Sequence, residues 1–220
     1  ELTKCFFIVI AFDGQRKILT EGLARPQVAG VQEMHDRPQL RQPVFHGRAG
    51  ERQPGASSQA AQRLGSLTGR ILDRLGISLI VPEGQTCCGL PAHVSGDDTR
   101  AQQLARKNIE AFQSLDLDAI LTVCASCGSH LTALPALFDH DAATRGAATS
   151  LASKHLDAMT FLVDHLDILE YLNAAEATAG SPGPRILRVA YHDPCHLRIG
   201  QGVTRAPRRL LQAVPGVKLV

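Results

Sequence analysis

Tryptophan is absent from this chain, and Phe and Tyr together reach only 4 % of residues. Nucleic-acid binding through aromatic stacking platforms is therefore poorly supported, and no basic patch interleaved with aromatics compensates. Charge of one sign is also scarce in net terms. Lys and Arg number 23 against 21 Asp and Glu, a net charge of +2, too small to argue for nucleic acid or an anionic membrane. No apolar run approaches the length needed to span a bilayer, so no transmembrane segment is expected. The run Phe6–Phe12 is the longest near the start and follows Lys4. It ends at Asp13-Gly14 without a small-residue cleavage pattern and reads as a buried strand rather than an export signal. Glycine-rich phosphate loops are missing: neither G-x-G-x-x-G nor a Walker pattern occurs, which leaves a nucleotide or flavin site within these residues unsupported. No acid/base pair and no Ser–His–Asp arrangement stands out.

What is present is cysteine in an unusual arrangement. Six occur, and four of them form Cys87-Cys88 and Cys124-Ala125-Ser126-Cys127, with Cys195 further on. Adjacent thiols cannot easily bridge each other, whereas a pair spaced by two residues presents both sulfurs to one point. Four thiolates converging on one place suit a soft metal or an iron–sulfur cluster. A lone cysteine is often a small buried hydrophobe. These four lie in turn-like surroundings, Gln-Thr-Cys-Cys-Gly-Leu-Pro and a Cys-x-x-Cys-Gly that ends an apolar run, which do not suit a plain core. With no export signal, six irregularly spaced cysteines imply a reducing, cytoplasmic compartment rather than a disulfide framework.

Residues 1–60 are poorly patterned. The stretch Arg25–Ser58 is rich in Gln, Arg, Gly and Pro, and reads as loop-rich or disordered. From Gln59 onward order is expected. Leu64, Leu67, Ile71, Leu72 and Leu75 recur at helical spacing up to Gly76, and Ile77–Val81 is a short β-branched strand. Asp97 and Asp98 are N-cap candidates for a helix whose face carries Ala101, Leu104, Ala105, Asn108, Ile109 and Phe112. Asp118–Val123 is a buried strand that delivers Cys124. A helix over 127–138 follows, with Pro135 implying either a later start or a bend, then a loop over 139–150, a helix over 158–173 and a linker Ala174–Pro184. Ile186–Tyr191 is another strand, ending at His192-Asp193-Pro194-Cys195-His196. Pro207 suits the first turn of a helix through Ala213, and Val217–Val220 is a last strand. Alternation of helices with short buried strands predicts an α/β fold around a mostly parallel sheet. Each cysteine segment follows a predicted strand, so the cysteine loops would lie at strand C-terminal ends, where ligands gather in such sheets.

The spacing Cys87-Cys88-Gly89, then Cys124-x-x-Cys127 separated from Cys88 by thirty-five residues, resembles the cysteine-rich CCG domain. The flanking words carry the resemblance further: Cys88-Gly89-Leu90-Pro91-Ala92, Ser95-Gly96-Asp97, Ala105-Arg106-x-Asn108-Ile109, and Tyr191-His192-Asp193-Pro194-Cys195-His196-Leu197. It covers roughly residues 62–220. Such domains occur in iron–sulfur subunits of glycolate and lactate oxidation complexes, in heterodisulfide reductase and in the anaerobic glycerol-3-phosphate dehydrogenase iron–sulfur subunit. The resemblance implies a first repeat over residues 61–180 and the start of a second over 181–220. Cys87, Cys88, Cys124 and Cys127 would be the last four cysteines of the first repeat, and Cys195 the first of the second. All five would be metal ligands, to an iron–sulfur cluster of 4Fe-4S type.

The implied role is a non-catalytic electron-transfer subunit working with a flavin-containing dehydrogenase subunit and other iron–sulfur subunits. Membrane association, if any, would be peripheral and through those partners. A heterodisulfide reductase-like thiol/disulfide subunit and a structural zinc domain are the alternatives. The family's upstream cysteine would stand near positions 46–56, where the chain reads His46-Gly47-Arg48-Ala49-Gly50, and Cys5 is too distant to fill that slot. Either the first centre has four protein ligands, or residues before about 60 are not the family's own sequence, as after a reading-frame error. The ferredoxin-type cysteine segments that often precede such domains are missing too, which gives the chain the look of a fragment of a larger subunit. His130, His192 and His196 are expected to support ligand loops rather than to bind metal. His93 and His165 read as ordinary loop and helix residues, and Asp193 as a residue that shapes its turn.

Overall fold

The computed structural model describes residues 7–10, 56–75, 77, 79–82, 84–166, 168–179 and 186–220. Expectations for Cys5, for Arg25–Gly55 and for the absent upstream cysteine lie outside them. The fold is α/β, with helices around short strands. Strands β1 (Phe7–Ile10), β2 (Leu79–Ile80), β3 (Ala119–Thr122) and β4 (His155–Asp157) form one sheet in the order β2-β1-β3-β4. Strands β3 and β4 are parallel, pairing Ile120 with His155 and Thr122 with Asp157. Strand β1 runs antiparallel to both neighbours, with Val9 opposite Ile80 on one side and Ile120 on the other. Strands β2, β3 and β4 therefore point the same way, and β1 is the one reversed member. A second sheet pairs β5 (Leu187–Val189) with β6 (Val217–Leu219) in parallel.

Helix α1 (Ala56–Arg74) buries Leu72, while Leu67 and Ile71, expected on its inner face, are exposed. After β2 the chain passes through a loop to the short α2 (Leu90–Val94) and then to α3 (Asp98–Gln113). Asp97 caps α3 by accepting from the Arg100 amide, and all six residues expected on its inner face are buried. Strand β3, buried along its whole length, leads into α4 (Ala125–Ala133).

Four expectations change. The helix anticipated over 127–138 is two pieces, α4 and a 3₁₀ turn Leu134–Phe138, because Pro135 cannot donate into an α-helical ladder. Residues 139–150, read as loop for their small polar composition, are mostly helix α5 (Ala142–Ser153). Asp141 starts it, accepting from the Thr144 amide and hydroxyl at 3.0 and 2.7 Å. Strand β4 has no apolar run to announce it, since it reads His-Leu-Asp. The helix expected over 158–173 is broken into α6 (Ala158–Thr160), a π-helical turn Phe161–His165 and α7 (Ile168–Ala179), so the first six residues of the expected linker are helical. The chain then gives α8 (Cys195–Arg198) and α9 (Ala206–Gln212) around the second sheet.

Two apolar clusters fill the space between these elements. One lies among α3, α4, α5 and β3 and includes Leu104, Ile109, Phe112, Ile120, Leu131, Leu134, Phe138 and Leu151. The other gathers Leu72, Leu121, Phe161, Val163 and Ile168. Among the described residues no helix is long and apolar enough to cross a membrane.

Candidate metal centre

Cys124 and Cys127 are placed by the passage from β3 into α4. Cys124 is the N-cap residue, with extended backbone (φ −111°, ψ 115°), and its carbonyl accepts from the Gly128 amide at 3.0 Å. Cys127 then lies on the first turn, three residues on and on the same side of the helix. Both sulfurs therefore belong to the amino end of α4, where backbone N–H groups lack helical acceptors and the helix dipole is positive. An anionic ligand set is favoured there.

Cys87 and Cys88 come from the irregular loop between β2 and α2. The loop turns at Gly89, whose φ of +94° is left-handed and which serves as N-cap of α2. A Cβ at Gly89 would lie 3.3 Å from the Ala101 carbonyl oxygen and 3.5 Å from His130 Nε2. Residue 89 is glycine for two reasons, conformation and lack of space. The second contact also joins the two motifs, because His130 sits on α4 one turn after Cys127. Buried His130 packs in turn against His93, with ring centroids 5.6 Å apart.

The structure thus brings the two cysteine pairs into one core. Cys87, Cys88 and Cys127 are 4 %, 3 % and 5 % exposed and belong to the same apolar cluster, and Cys124 packs against it half-buried. None of the four is in a disulfide. The donor set, four soft sulfurs in apolar surroundings with glycine at both motifs, fits a thiolate-bound iron–sulfur cluster or zinc in chemistry. Among the described residues no three His, Cys, Asp or Glu side chains already form a group that could hold a metal ion. The thiols are gathered as core side chains rather than set out as a finished ligand shell.

Cys195 is different. It opens α8 and is exposed. Its helix is docked on α4 by polar contacts and two close glycines. Ser126 Oγ and His196 Nδ1 share a hydrogen bond of 3.0 Å, and Gln201 Nε2 donates to the Ala125 carbonyl at 2.8 Å. A Cβ at Gly200 would run into Ser129 Oγ, and one at Gly128 would lie 2.6 Å from Gln201 Oε1 and 2.7 Å from Thr122 Oγ1. Asp193 does more than shape its turn: it binds Arg208 of α9 at 2.7 Å, and that guanidinium covers the Tyr191 ring. Burial, with the Asp193 and Asp157 charges, raises the Tyr191 pKa. His192 is exposed. His93 pairs with Asp98 at 2.7 Å and His165 stacks on Phe161, both in line with ordinary structural roles.

Sequence reasoning missed three supporting residues. Asn108, expected on a helix face and in one of the words that carry the resemblance but with no role assigned, is 1 % exposed and binds the cysteine loop: Nδ2 donates to the Cys87 carbonyl at 3.0 Å, and Oδ1 accepts from the Thr86 amide at 2.7 Å. A lone amide among apolar face positions was the signal. His155 of β4 lies behind α4, with Nε2 at 2.9 Å from Thr122 Oγ1 and Nδ1 at 3.4 Å from Thr132 Oγ1. Burial pulls its pKa down to about 4, so it is a neutral ring at physiological pH. Gln201, the third, had no motif around it.

The CCG cysteine-rich domain model matches residues 54–132 and 189–220. Lactate utilization protein A of Geobacillus kaustophilus is 36 % identical over 157 residues, 71 % of this chain and 61 % of that protein. A fumarate reductase (CoM/CoB) subunit of Methanothermobacter marburgensis is 34 % identical over 151 residues, 69 % of this chain and 26 % of that protein. A probable glycolate oxidase iron-sulfur subunit of Bacillus subtilis is 32 % identical over 149 residues, 68 % and 32 % of the two chains. The chain therefore spans between about a quarter and three fifths of the length of these curated relatives. No solved structure matches it.

Proposed function

The chain belongs to the CCG cysteine-rich domain family, and from that premise we propose that it is an iron–sulfur-binding, electron-transferring part of a flavin-dependent complex that oxidises a 2-hydroxy acid such as glycolate or lactate. One observation carries the reading: Cys87, Cys88 and Cys127 are buried in one core with Cys124 against it. The names of the Geobacillus and Bacillus relatives support the hydroxy-acid assignment. A cluster bound there would supply one-electron transfer.

The roles of the residues follow from their positions. Cys87, Cys88, Cys124 and Cys127 would hold the group as thiolates. The amino end of α4 stabilises the negative charge of Cys124 and Cys127. Gly89 lets the backbone turn at the ligands, and the surrounding apolar cluster limits water. Residues 61–180 form the first repeat. Residues 181–220 open the second, a division supported by the two separate matched stretches. Cys195 is then a ligand of the second repeat's centre. A flavin-bearing partner takes the electrons from substrate, other iron–sulfur subunits receive them, and any membrane contact runs through partners on the cytoplasmic side.

Anaerobic purification followed by iron and acid-labile sulfide analysis, with electron paramagnetic resonance, tests this. Iron and sulfide in equal amount with a reducible signal are expected. A folded protein that takes up neither when reconstituted would refute the reading, and a colourless protein with one equivalent of zinc would replace it with a structural zinc site. A second reading, a thiol/disulfide subunit of the heterodisulfide reductase kind, is favoured by the similarity to the Methanothermobacter protein. Turnover of a heterodisulfide by the purified complex separates the two.

A further inference from the structure

The loop that carries Cys87 and Cys88 has no ladder of its own. Residues 85–88 are neither helix nor strand, yet Gln85 and Thr86 are half-buried and Cys87 and Cys88 buried. Buried backbone groups there need partners. Asn108 supplies both kinds at once, a donor to the Cys87 carbonyl and an acceptor for the Thr86 amide. The Thr86 hydroxyl adds a contact of 3.4 Å to the same Oδ1. We propose that Asn108 is a positioning residue that presets the Cys87–Cys88 loop for its metal through the Cys87 carbonyl and the Thr86 amide.

The side chain suits this task in a way its neighbours in chemistry do not. Aspartate can accept from Thr86 but, ionised, cannot donate to Cys87. Leucine is branched at the same carbon, is larger, and does neither. The anchor is rigid: Asn108 stands in the middle of α3 between Leu104, Ala105, Ile109 and Phe112, all buried, and the helix is capped at Asp97. A clamp of this kind holds two adjacent ligands in one orientation before any metal arrives, which lowers the ordering cost of binding. The metal role rests on the proposal that Cys87 and Cys88 are ligands. The clamp itself can be read in the metal-free chain.

The test is alkylation of the full metal-free chain under native conditions, with each cysteine followed by mass spectrometry, in wild type, Asn108→Asp and Asn108→Leu. Removing one partner of a buried hydrogen bond shifts an opening equilibrium by about tenfold. In Asn108→Leu, labelling of Cys87 and Cys88 should therefore rise by about tenfold, with Cys124 and Cys127 unchanged. Asn108→Asp should fall between Asn108→Leu and wild type. No change, or equal acceleration at all four cysteines, overturns the proposal. Should Asn108→Leu not fold, hydrogen exchange of the Thr86 amide in wild type decides: protection is expected, and exchange as fast as in a surface loop overturns it. The metal role has its own readout, the paramagnetic signature of reconstituted Asn108→Asp against wild type. A shifted signature is expected, and an identical one overturns that role. Wild type that binds no iron or sulfide would remove the metal role while the labelling pattern still decides the clamp.

Discussion

Gly128→Ala is the substitution for which the geometry makes the sharpest demand. Gly128 is an interior residue of α4, where replacing glycine by alanine ordinarily stabilises by about 1 kcal/mol. Here the new methyl carbon would lie 2.6 Å from Gln201 Oε1, 2.7 Å from Thr122 Oγ1 and 2.8 Å from Gln201 Cδ. Each contact is well inside ordinary van der Waals separation. Gln201 could swing aside, but its amide would then give up the Ala125 carbonyl, and a lost hydrogen bond costs about 1 kcal/mol. Thr122 has less freedom, because it is buried in β3 and its hydroxyl is held against His155 Nε2. Overpacking of this sort costs about 1–3 kcal/mol. With the lost hydrogen bond added and the helix gain subtracted, the expected net is a destabilisation of about 1–3 kcal/mol. Urea denaturation of the metal-free chain, followed by circular dichroism, reads it as a lower midpoint at unchanged slope. The double variant Gly128→Ala/Gln201→Ala should be less destabilised than the sum of its singles, since two of the three contacts belong to Gln201. A Gly128→Ala protein as stable as wild type would refute the close docking of α8 and its loop on α4.

Gly89→Ala should destabilise by about 1–2 kcal/mol, the usual cost of a left-handed conformation for a residue with a Cβ, and iron content after reconstitution should fall with it; equal stability would remove the φ argument. For His155 the sign follows from its lowered pKa, about 4 against 6.5. The unfolded chain binds the proton more readily, so stability is fully present above pH 6.5 and declines as pH falls toward 4, by up to about 3 kcal/mol at 1.36 kcal/mol per pK unit. Unfolding free energies of wild type and His155→Gln across that window check it, and equal slopes would count against a buried neutral ring. Cys195→Ser should leave the iron and sulfide bound by Cys87, Cys88, Cys124 and Cys127 unchanged, whereas Cys127→Ser should abolish them; loss on both substitutions would make Cys195 a ligand of the same centre.

The parts of the fold that could be read in advance share one property: the residue pattern itself carries the cause. All six face positions of α3 are buried as expected because each lies on one 3.6-residue stripe. Strand β3 was visible from the apolar run Ala119–Leu121, and it is buried along its whole length. Helix α5 was hidden because its composition, Ala-Ala-Thr-Arg-Gly-Ala-Ala-Thr, lacks large apolar residues. It is held by its Asp141 cap and by packing of Ala148 and Leu151, two small patches that periodicity barely registers. Strand β4 was hidden because it exists by pairing with β3 rather than by its own propensity. At the site, the cysteine spacing announced the candidate ligands, while the groups that position them did not stand out. Asn108, His155 and Gln201 act through partners 21 to 76 residues away in the chain, and of the three only Asn108, a lone amide on an apolar helix face, left a mark in the residue pattern.

That division has a consequence for what a metal would be asked to do. In small domains that lack a core, the metal supplies much of the folding free energy and the metal-free chain is unfolded. Here the cysteine loops are tied to elements with their own reasons to form. Asn108 holds residues 86 and 87 from α3, and Thr122, Gly128 and Gln201 fit α4 between β3 and the loop after α8. Behind them stand two apolar clusters that include Phe112, Phe138, Phe161 and Leu121, all buried. The four thiols contribute to one of those clusters as small hydrophobes in their own right. Metal uptake at these proposed ligands would then be a local rearrangement of side chains already in one core, with most of the binding free energy left to set affinity and potential rather than to build the fold. Chelation should accordingly change the spectrum of the centre far more than the far-ultraviolet circular dichroism of the chain. Loss of helical signal on chelation would mean that the polar ties around Asn108 and Gln201 are too weak to hold the cysteine loops alone.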